Sequence, residues 1–206
     1  MTEQSPTDQR TQRRERMEQR QREIAEAAQR RTMMNRLKMG ALLLVVLLAV
    51  GGLVFWVFRE TTAPLPGEAV PDEGRGHVAD GTPLVHNSYP PASGPHYGTW
   101  KEKGGFVDGP LGPGLWMHNL EHGYVIILYK CPPDCTEIKG LLRSLGSKVK
   151  NSRFGYPKLV IAQDDKIDTS LALIAWNRRQ MLTEYDEGKI QAFYNAFVDR
   201  GPEDAP

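Results

Sequence analysis

The stretch MGALLLVVLLAVGGLVFWVF, residues 39–58, decides the architecture of this chain. It contains no charged residue and no proline. A helix of about 20 residues is about 30 Å long, which matches the hydrocarbon thickness of a lipid bilayer. Because only a helix satisfies its own backbone hydrogen bonds in that environment, the stretch predicts a transmembrane helix.

The charges that flank this run predict its orientation. Basic residues precede it, and mainly acidic residues follow it: Arg30, Arg31, Arg36 and Lys38 before, and Arg59, Glu60, Glu68, Asp72 and Glu73 after. An excess of basic residues marks the cytoplasmic side of a membrane. We therefore expect the N-terminus in the cytoplasm and the C-terminal domain on the outer side of the cell membrane. A cleaved signal peptide is the alternative, but its apolar region is shorter and ends at small residues. This run ends in Trp56 and Phe58, which favours an uncleaved single-pass anchor.

Composition divides the rest of the chain. Residues 1–38 are rich in Arg, Gln and Glu, which predicts a charged cytoplasmic tail that is largely solvated and partly helical. Its basic residues would be attracted to anionic lipid headgroups. Residues 59–76 are rich in proline and glycine and predict a linker. Residues 77–206 provide enough chain for one extracytoplasmic domain. The formal net charge of +1 argues against a nucleic-acid partner. The apolar run indicates the membrane as a partner, and the sequence identifies no protein partner.

Hydrophobic patterning in the domain predicts three strands and two helices. Residues 124–130 suit a strand buried on both faces, 158–163 suit a second strand, and 170–177 suit a third strand or a short buried helix. Apolar residues at helical spacing predict helices over 136–150 and 187–200. A long segment rich in glycine and proline precedes the first strand. We therefore expect an α+β or α/β fold, with a small mixed sheet and two main helices.

Histidines are concentrated at the start of the domain. The five are His77, His86, His96, His118 and His122. On a helical turn, residues 118 and 122 share a face about 6 Å apart and can chelate one metal ion, whereas on a strand they are about 13 Å apart. The letters of His118, Glu121 and His122 also match the H-x-x-E-H signature of a zinc protease class. That signature requires a full helix, and here Gly123 and a strand follow directly, so we set it aside.

These residues support a metal-binding hypothesis. We expect copper or zinc to bind His96, His118 and His122, with His77 or another side chain completing the site. A Met117 thioether would favour Cu(I), and a Glu121 carboxylate would favour zinc. The alternative is a structural or interaction domain of the cell envelope, in which the imidazoles bond to loop backbone and organise the segment. No residue stands out as catalytic, so a binding role is favoured over an enzyme.

The two cysteines carry a third hypothesis. Cys131 and Cys135 are expected to form a disulfide, because close cysteines oxidise outside the cytoplasm, although so small a loop adds little stability. Their position between a strand and a helix is also typical of a thioredoxin-like redox or copper-binding pair. The spacer is three residues rather than two. A thiol-disulfide or copper-relay protein therefore remains an alternative.

Two motifs together resemble a known family. They are YPPASGPHY, residues 89–97, and HNLEHG, residues 118–123, separated by Trp100 and Gly105. The chain from about residue 77 onward is similar to the uncharacterised bacterial family catalogued as domain of unknown function 3105. The resemblance implies a charged tail, one membrane span and this domain outside, with family histidines at positions 77, 96, 118 and 122 but not at 86. It does not imply the cysteine pair, and it implies no activity.

Overall fold

The chain forms two units, Met1–Ala63 and Pro64–Pro206. A computed structural model describes them over residues 6–61, 64–131 and 134–206. The described part of the first unit is one helix, α1, Pro6–Thr61. The predicted helix over residues 39–58 is confirmed as part of α1. The charged segment before it is also helical from Pro6, and the first five residues lie outside the described part.

Within α1, the segment Arg16–Arg59 is long and apolar enough to cross a membrane. Many of its apolar side chains are largely exposed: Leu47 is 69% exposed and Phe55 is 68% exposed. A core helix of a soluble protein would bury these side chains. Exposed aliphatic and aromatic groups of this kind are suited to lipid, so α1 is a candidate membrane span.

The second unit is built on a mixed six-stranded sheet. Its strands are β1 (Glu68–Ala69), β4 (Gly105–Pro110), β5 (Val125–Tyr129), β6 (Leu159–Gln163), β7 (Leu171–Ala175) and β8 (Arg178–Leu182), with β2 (His77–Val78) and β3 (His96–Tyr97) in a separate two-stranded sheet. The order across the large sheet is β1-β8-β7-β5-β6-β4. Strands β4, β6 and β5 are parallel, and β7, β8 and β1 continue the sheet in antiparallel fashion.

Strand β5 is the centre of the domain, and all five of its residues are buried. Successive side chains of a strand point to opposite faces, so the strand contributes to two cores. Val125, Ile127 and Tyr129 pack with residues of two helices, α3 (Thr136–Ser144) and α4 (Glu187–Phe197). Ile126 and Leu128 pack with a further helix, α2 (Pro113–Glu121), and with Val70 and Ala92 from the segment before that helix. Helices on both faces explain why this strand is apolar throughout.

Helix α2 carries the HNLEHG motif, and its two ends are well defined. Pro113 occupies the first turn, where its missing N–H costs no helical hydrogen bond. At the other end, Gly123 has a φ of 79° and donates its N–H to Leu120 O at 2.9 Å, while Tyr124 N donates to Asn119 O at 3.0 Å. This pair of bonds is a Schellman motif, which terminates a helix at a glycine. The chain therefore leaves α2 and enters β5 almost at once.

The predicted α+β class with a small mixed sheet is confirmed, and several elements differ in extent. The expected helix over 136–150 is shorter: α3 is followed by a 3₁₀ turn, Leu145–Ser147. Within residues 170–177, Leu171–Ala175 form strand β7, the first of the two predicted alternatives. Strands β2, β3, β4 and β8 and helix α2 were not predicted from the sequence. Strand β1 lies within the stretch that composition indicates to be a linker, and Val70 beside it is buried.

Candidate metal centre

Three elements bring the histidines together. His77 and His96 lie directly opposite each other in the parallel pairing of β2 with β3. The N–H of His96 donates to Gly76 O at 3.0 Å, which fixes this register. His118 is in the last turn of α2, and His122 is its C-cap residue. The pair at 118 and 122 therefore has the helical spacing that the metal hypothesis requires, and the two ring centroids are 4.6 Å apart.

His77, His96 and His118 form a first group, which we call the upper triad. Their ring centroids are 4.7 Å apart for His77–His96, 4.7 Å for His77–His118 and 5.3 Å for His96–His118. One nitrogen from each ring lies within 4.8 Å of the other two. His96 and His118 are buried, whereas the His77 side chain is 49% exposed. The upper triad thus has two buried members and one open to solvent.

The inner nitrogens of two of these rings are held by backbone carbonyls. His96 Nδ1 lies 2.9 Å from Gly94 O, and His118 Nδ1 lies 3.0 Å from Tyr97 O. A carbonyl oxygen only accepts hydrogen bonds, so each Nδ1 carries the hydrogen. The neutral ring then presents a lone pair on Nε2. Hydrogen bonds of this kind orient the histidine ligands of metal sites and set their tautomer.

Glu121 lies against the upper triad. One of its oxygens, Oε2, is 3.0 Å from His96 Nε2 and 3.2 Å from His77 Nε2, and the side chain is 5% exposed. Since His96 Nδ1 holds a hydrogen for Gly94 O, neutral His96 and ionised Glu121 would bring two acceptors to hydrogen-bonding distance. A cation must lie at this contact, either a proton or a metal ion.

A second group, the lower triad, consists of His118, His122 and Glu203, with one ligand atom from each within 4.8 Å of the others. His122 Nε2 is 3.4 Å from Glu203 Oε2. Within the described part of the chain, His122 Nδ1 is buried and has no hydrogen-bond partner. Glu203 was not predicted from the sequence, because it lies far from the HNLEHG motif and in no recognisable pattern. Its position depends on the fold, because Glu203 N donates to Glu121 O at 3.0 Å.

Burial keeps the imidazoles of α2 in the neutral form. Desolvation lowers the pKa of His118, and nearby His77 and His96 lower it further, against the opposing effect of the hydrogen bond to Tyr97. Desolvation also lowers the pKa of His122, together with the proximity of His118. A neutral imidazole is the form that binds a metal. Both residues are therefore in the ligand form at neutral pH.

The remaining predicted residues lie as follows. His96 and His118 are in the upper triad together with His77, whereas His122 shares a group with His118 but not with His96. Met117 is fully buried in the apolar cluster with Trp116 and Leu120. Cys131 and Cys135 are at disulfide-bonding distance, with Cα atoms 5.3 Å apart. They follow the C-terminal end of β5, while His122 precedes its N-terminal end, so the two sites are separated by a five-residue strand of about 16 Å.

An α+β domain with a buried histidine cluster, preceded by an apolar helix, is the class that fold and site define. The family model described as a protein of unknown function, DUF3105, matches residues 77–206, and the chain belongs to this family. The resemblance noted from the sequence is thereby confirmed. The matched range contains all five histidines and Glu203. No curated protein and no solved structure matches the chain.

Proposed function

We propose that this protein is a single-pass membrane protein whose extracytoplasmic domain binds a transition-metal ion at the upper triad. The single observation that carries the proposal is the contact between His96 Nε2 and Glu121 Oε2, 3.0 Å apart, with His96 Nδ1 already bonded to Gly94 O. A metal ion satisfies both acceptors at once. His77 and His118 offer two further nitrogens close by.

The donor set favours zinc, with Cu(II) as the second choice. Three imidazoles and one carboxylate are nitrogen and oxygen ligands of the kind that zinc takes in four-coordinate sites. Cu(I) prefers a soft thioether, but Met117 packs in the apolar core with Trp116 and Leu120. Glu121, and not Met117, therefore completes the site.

The same donor set favours binding over catalysis. A catalytic zinc ion keeps one coordination position for water or substrate, whereas four protein ligands close the shell. His77, His96, His118 and Glu121 would fill all four positions. The exposed His77 side chain gives the ion its route from solvent. We therefore propose a carrier, store or sensor of metal rather than a hydrolase.

The orientation belongs to this proposal. The basic residues before the apolar part of α1 favour a cytoplasmic N-terminus, which puts the domain outside the cell membrane. Metal supply in that compartment is not controlled by the buffering of the cytoplasm. A metal-binding domain anchored on that side of the membrane would therefore contact metal ions before they enter the cytoplasm.

A second candidate function rests on the same hydrogen bonds. His96 bonds to Gly94 and His118 bonds to Tyr97, so these rings also hold the glycine- and proline-rich segment against α2. In a purely structural or interaction domain of the cell envelope, this would be their whole role. The thiol or copper relay has less support, because Cys131 and Cys135 lie at the other end of β5 and share no ligand with the histidines.

Metal analysis of the full chain, purified in detergent without added metal and then titrated with Zn²⁺ or Cu²⁺, tests the proposal. We expect one ion per chain at micromolar or lower concentration. His118→Ala should lose this binding, while His86→Ala, a control outside both triads, should keep it. A wild-type chain that neither retains nor binds either metal would establish the structural role instead.

A further inference from the structure

The lower triad differs from an incidental group of side chains in how it is built. His118 and His122 are buried, and the Glu203 side chain is 51% exposed, so this group repeats the arrangement of two buried members and one open member. His122 Nδ1 has no hydrogen-bond partner among the residues that the structure describes. An unpaired buried imidazole nitrogen is costly, and the other ring nitrogen, His122 Nε2, lies 3.4 Å from Glu203 Oε2.

Backbone contacts hold Glu203 beside this group. Its N–H donates to Glu121 O at the end of α2, and Asp199 N donates to Gly123 O at 2.9 Å. Gly201 lies so close to α2 that an added Cβ would be 2.1 Å from Glu121 O, which only glycine permits. The segment carrying Glu203 is therefore fixed against the helix end that carries His118 and His122.

His118 cannot serve two ions at once. Its Nδ1 donates to Tyr97 O at 3.0 Å, which leaves Nε2 as its single ligand atom. An ion bound by the upper triad therefore removes His118 from the lower triad, and the reverse also holds. Each triad has its own exposed member, His77 in one and Glu203 in the other, so each has its own access to solvent.

We propose that His118, His122 and Glu203 form a second metal position, and that one ion alternates between the two triads by exchange on His118. This inference rests on the proposed function, since both positions take the same class of ion. It makes the domain a site of transfer: an ion accepted beside His77 is released beside Glu203. The ligands of the second position are two imidazoles and a carboxylate, a set that binds zinc-like ions with one position open.

Cobalt titration of the full chain in detergent tests the proposal, because Co²⁺ reports its binding through visible absorption. Four proteins are compared: wild type, His96→Ala, His122→Ala and the double variant. If the positions alternate, each single variant leaves the other position intact and keeps one ion, with its affinity reduced less than about tenfold. The double variant removes a ligand from both positions, so its affinity should fall at least about 100-fold, more than the two single effects combined. The single variants should also have different visible spectra.

The other results are equally decisive. If His96→Ala abolishes binding and His122→Ala changes nothing, the second position is wrong and the proposed function stands. If the reverse is found, alternation is wrong and so is the ligand set of the proposed function. Absence of Co²⁺ binding by the wild type overturns both. His77→Ala and Glu203→Ala repeat the comparison at positions whose side chains are about half exposed.

Discussion

Lys158 places its ammonium group 2.8 Å from the carbonyl oxygen of His122, although the lysine side chain is completely buried. The same group donates to Ala205 O and lies 3.4 Å from Asp199 Oδ1. It also lies over the Phe154 ring, 4.1 Å from its centroid. Burial lowers the pKa of Lys158, and the Asp199 carboxylate opposes this change. This one cation thus connects the end of α2 to the segment that carries Glu203.

Replacing Lys158 should destabilise the domain. Lys158→Met leaves the carbonyl groups of His122 and Ala205 without this donor and removes the positive charge beside Asp199, and we expect the free energy of unfolding to fall by about 3 kcal/mol. Urea denaturation followed by tryptophan fluorescence measures the change. Lys166→Met, at an exposed position, is the matched control and should change stability by less than about 0.5 kcal/mol. Equal stability of the two variants would contradict the bridging role.

The choice between carboxylate and thioether can be tested by a pair of near-isosteric variants. Glu121→Gln keeps size but weakens the acceptor beside His77 and His96, and we expect Zn²⁺ affinity to fall at least about tenfold. Met117→Leu keeps the volume of a core side chain and should leave Zn²⁺ affinity unchanged. Competition with a chromogenic chelator gives both dissociation constants. A loss confined to Met117→Leu would exclude Glu121 as a ligand.

His86 predicts a pH dependence that is separate from metal binding. Burial lowers its pKa below the ordinary value of 6.5, against the attraction of Glu73, and nearby His96 lowers it further. The unfolded chain therefore takes up a proton at this residue at higher pH than the folded domain does. Since the unfolded state binds more protons in that window, the free energy of unfolding decreases as the pH falls below about 6.5.

Comparison with His86→Gln isolates this contribution. Wild type and variant are unfolded with urea at pH 7.5 and pH 5.5 in the presence of a chelator. The variant should lose less stability between the two values than the wild type does, and its metal affinity at pH 7.5 should be unchanged. An identical pH dependence in the two proteins would show that His86 takes up its proton equally in both states.

Cys131 and Cys135 should be oxidised in protein isolated without reductant. Intact mass spectrometry should show the chain two hydrogen masses lighter than the reduced form, and alkylation should modify neither residue. The double variant Cys131→Ser/Cys135→Ser should bind Zn²⁺ with wild-type affinity, because β5 separates the pair from the histidines. Loss of metal binding in this variant would revive the copper-relay alternative.

The topology of α1 is checked with reporters fused after Pro206. A reporter that is active only outside the cytoplasm should be active there, and a cytoplasmic reporter should be silent. The reason is the basic flank of Arg30, Arg31, Arg36 and Lys38 before the apolar run. Moving basic residues to the other flank should reduce the activity of the external reporter. The opposite result for the unmodified chain would place the domain in the cytoplasm.

Sequence patterns predicted the elements that are apolar throughout or whose apolar residues recur with a regular period. The apolar runs of β5 and β6 and the amphipathic pattern of α4 reveal themselves within a few residues. Strand β8 reads RRQML, and its half-buried polar side chains depend on its neighbours, with Arg179 paired to Glu68 of β1 at 3.0 Å. Such a strand has no periodicity of its own to detect.

Only part of the candidate site could be predicted, because only some of its residues lie in a local sequence pattern. Helix α2 begins among glycines and prolines, and it forms because Trp116, Met117 and Leu120 are buried against β5, which is a tertiary effect. His118 and His122 were recognisable by their spacing. The opposition of His77 and His96 depends on the register of two short strands, and the approach of Glu203 depends on Gly201 fitting against the end of α2. Neither contact has a local sequence signal.

The pairing of β2 with β3 has a consequence for folding. An ion held by His77, His96 and His118 would cross-link three parts of the chain that are about 20 residues apart, and closing a loop of that length costs an unfolded chain roughly 2.7 kcal/mol. The ion would act on the glycine- and proline-rich segment as a disulfide acts on a small secreted domain, but reversibly and without any redox reaction. The order of that segment would then follow the supply of metal.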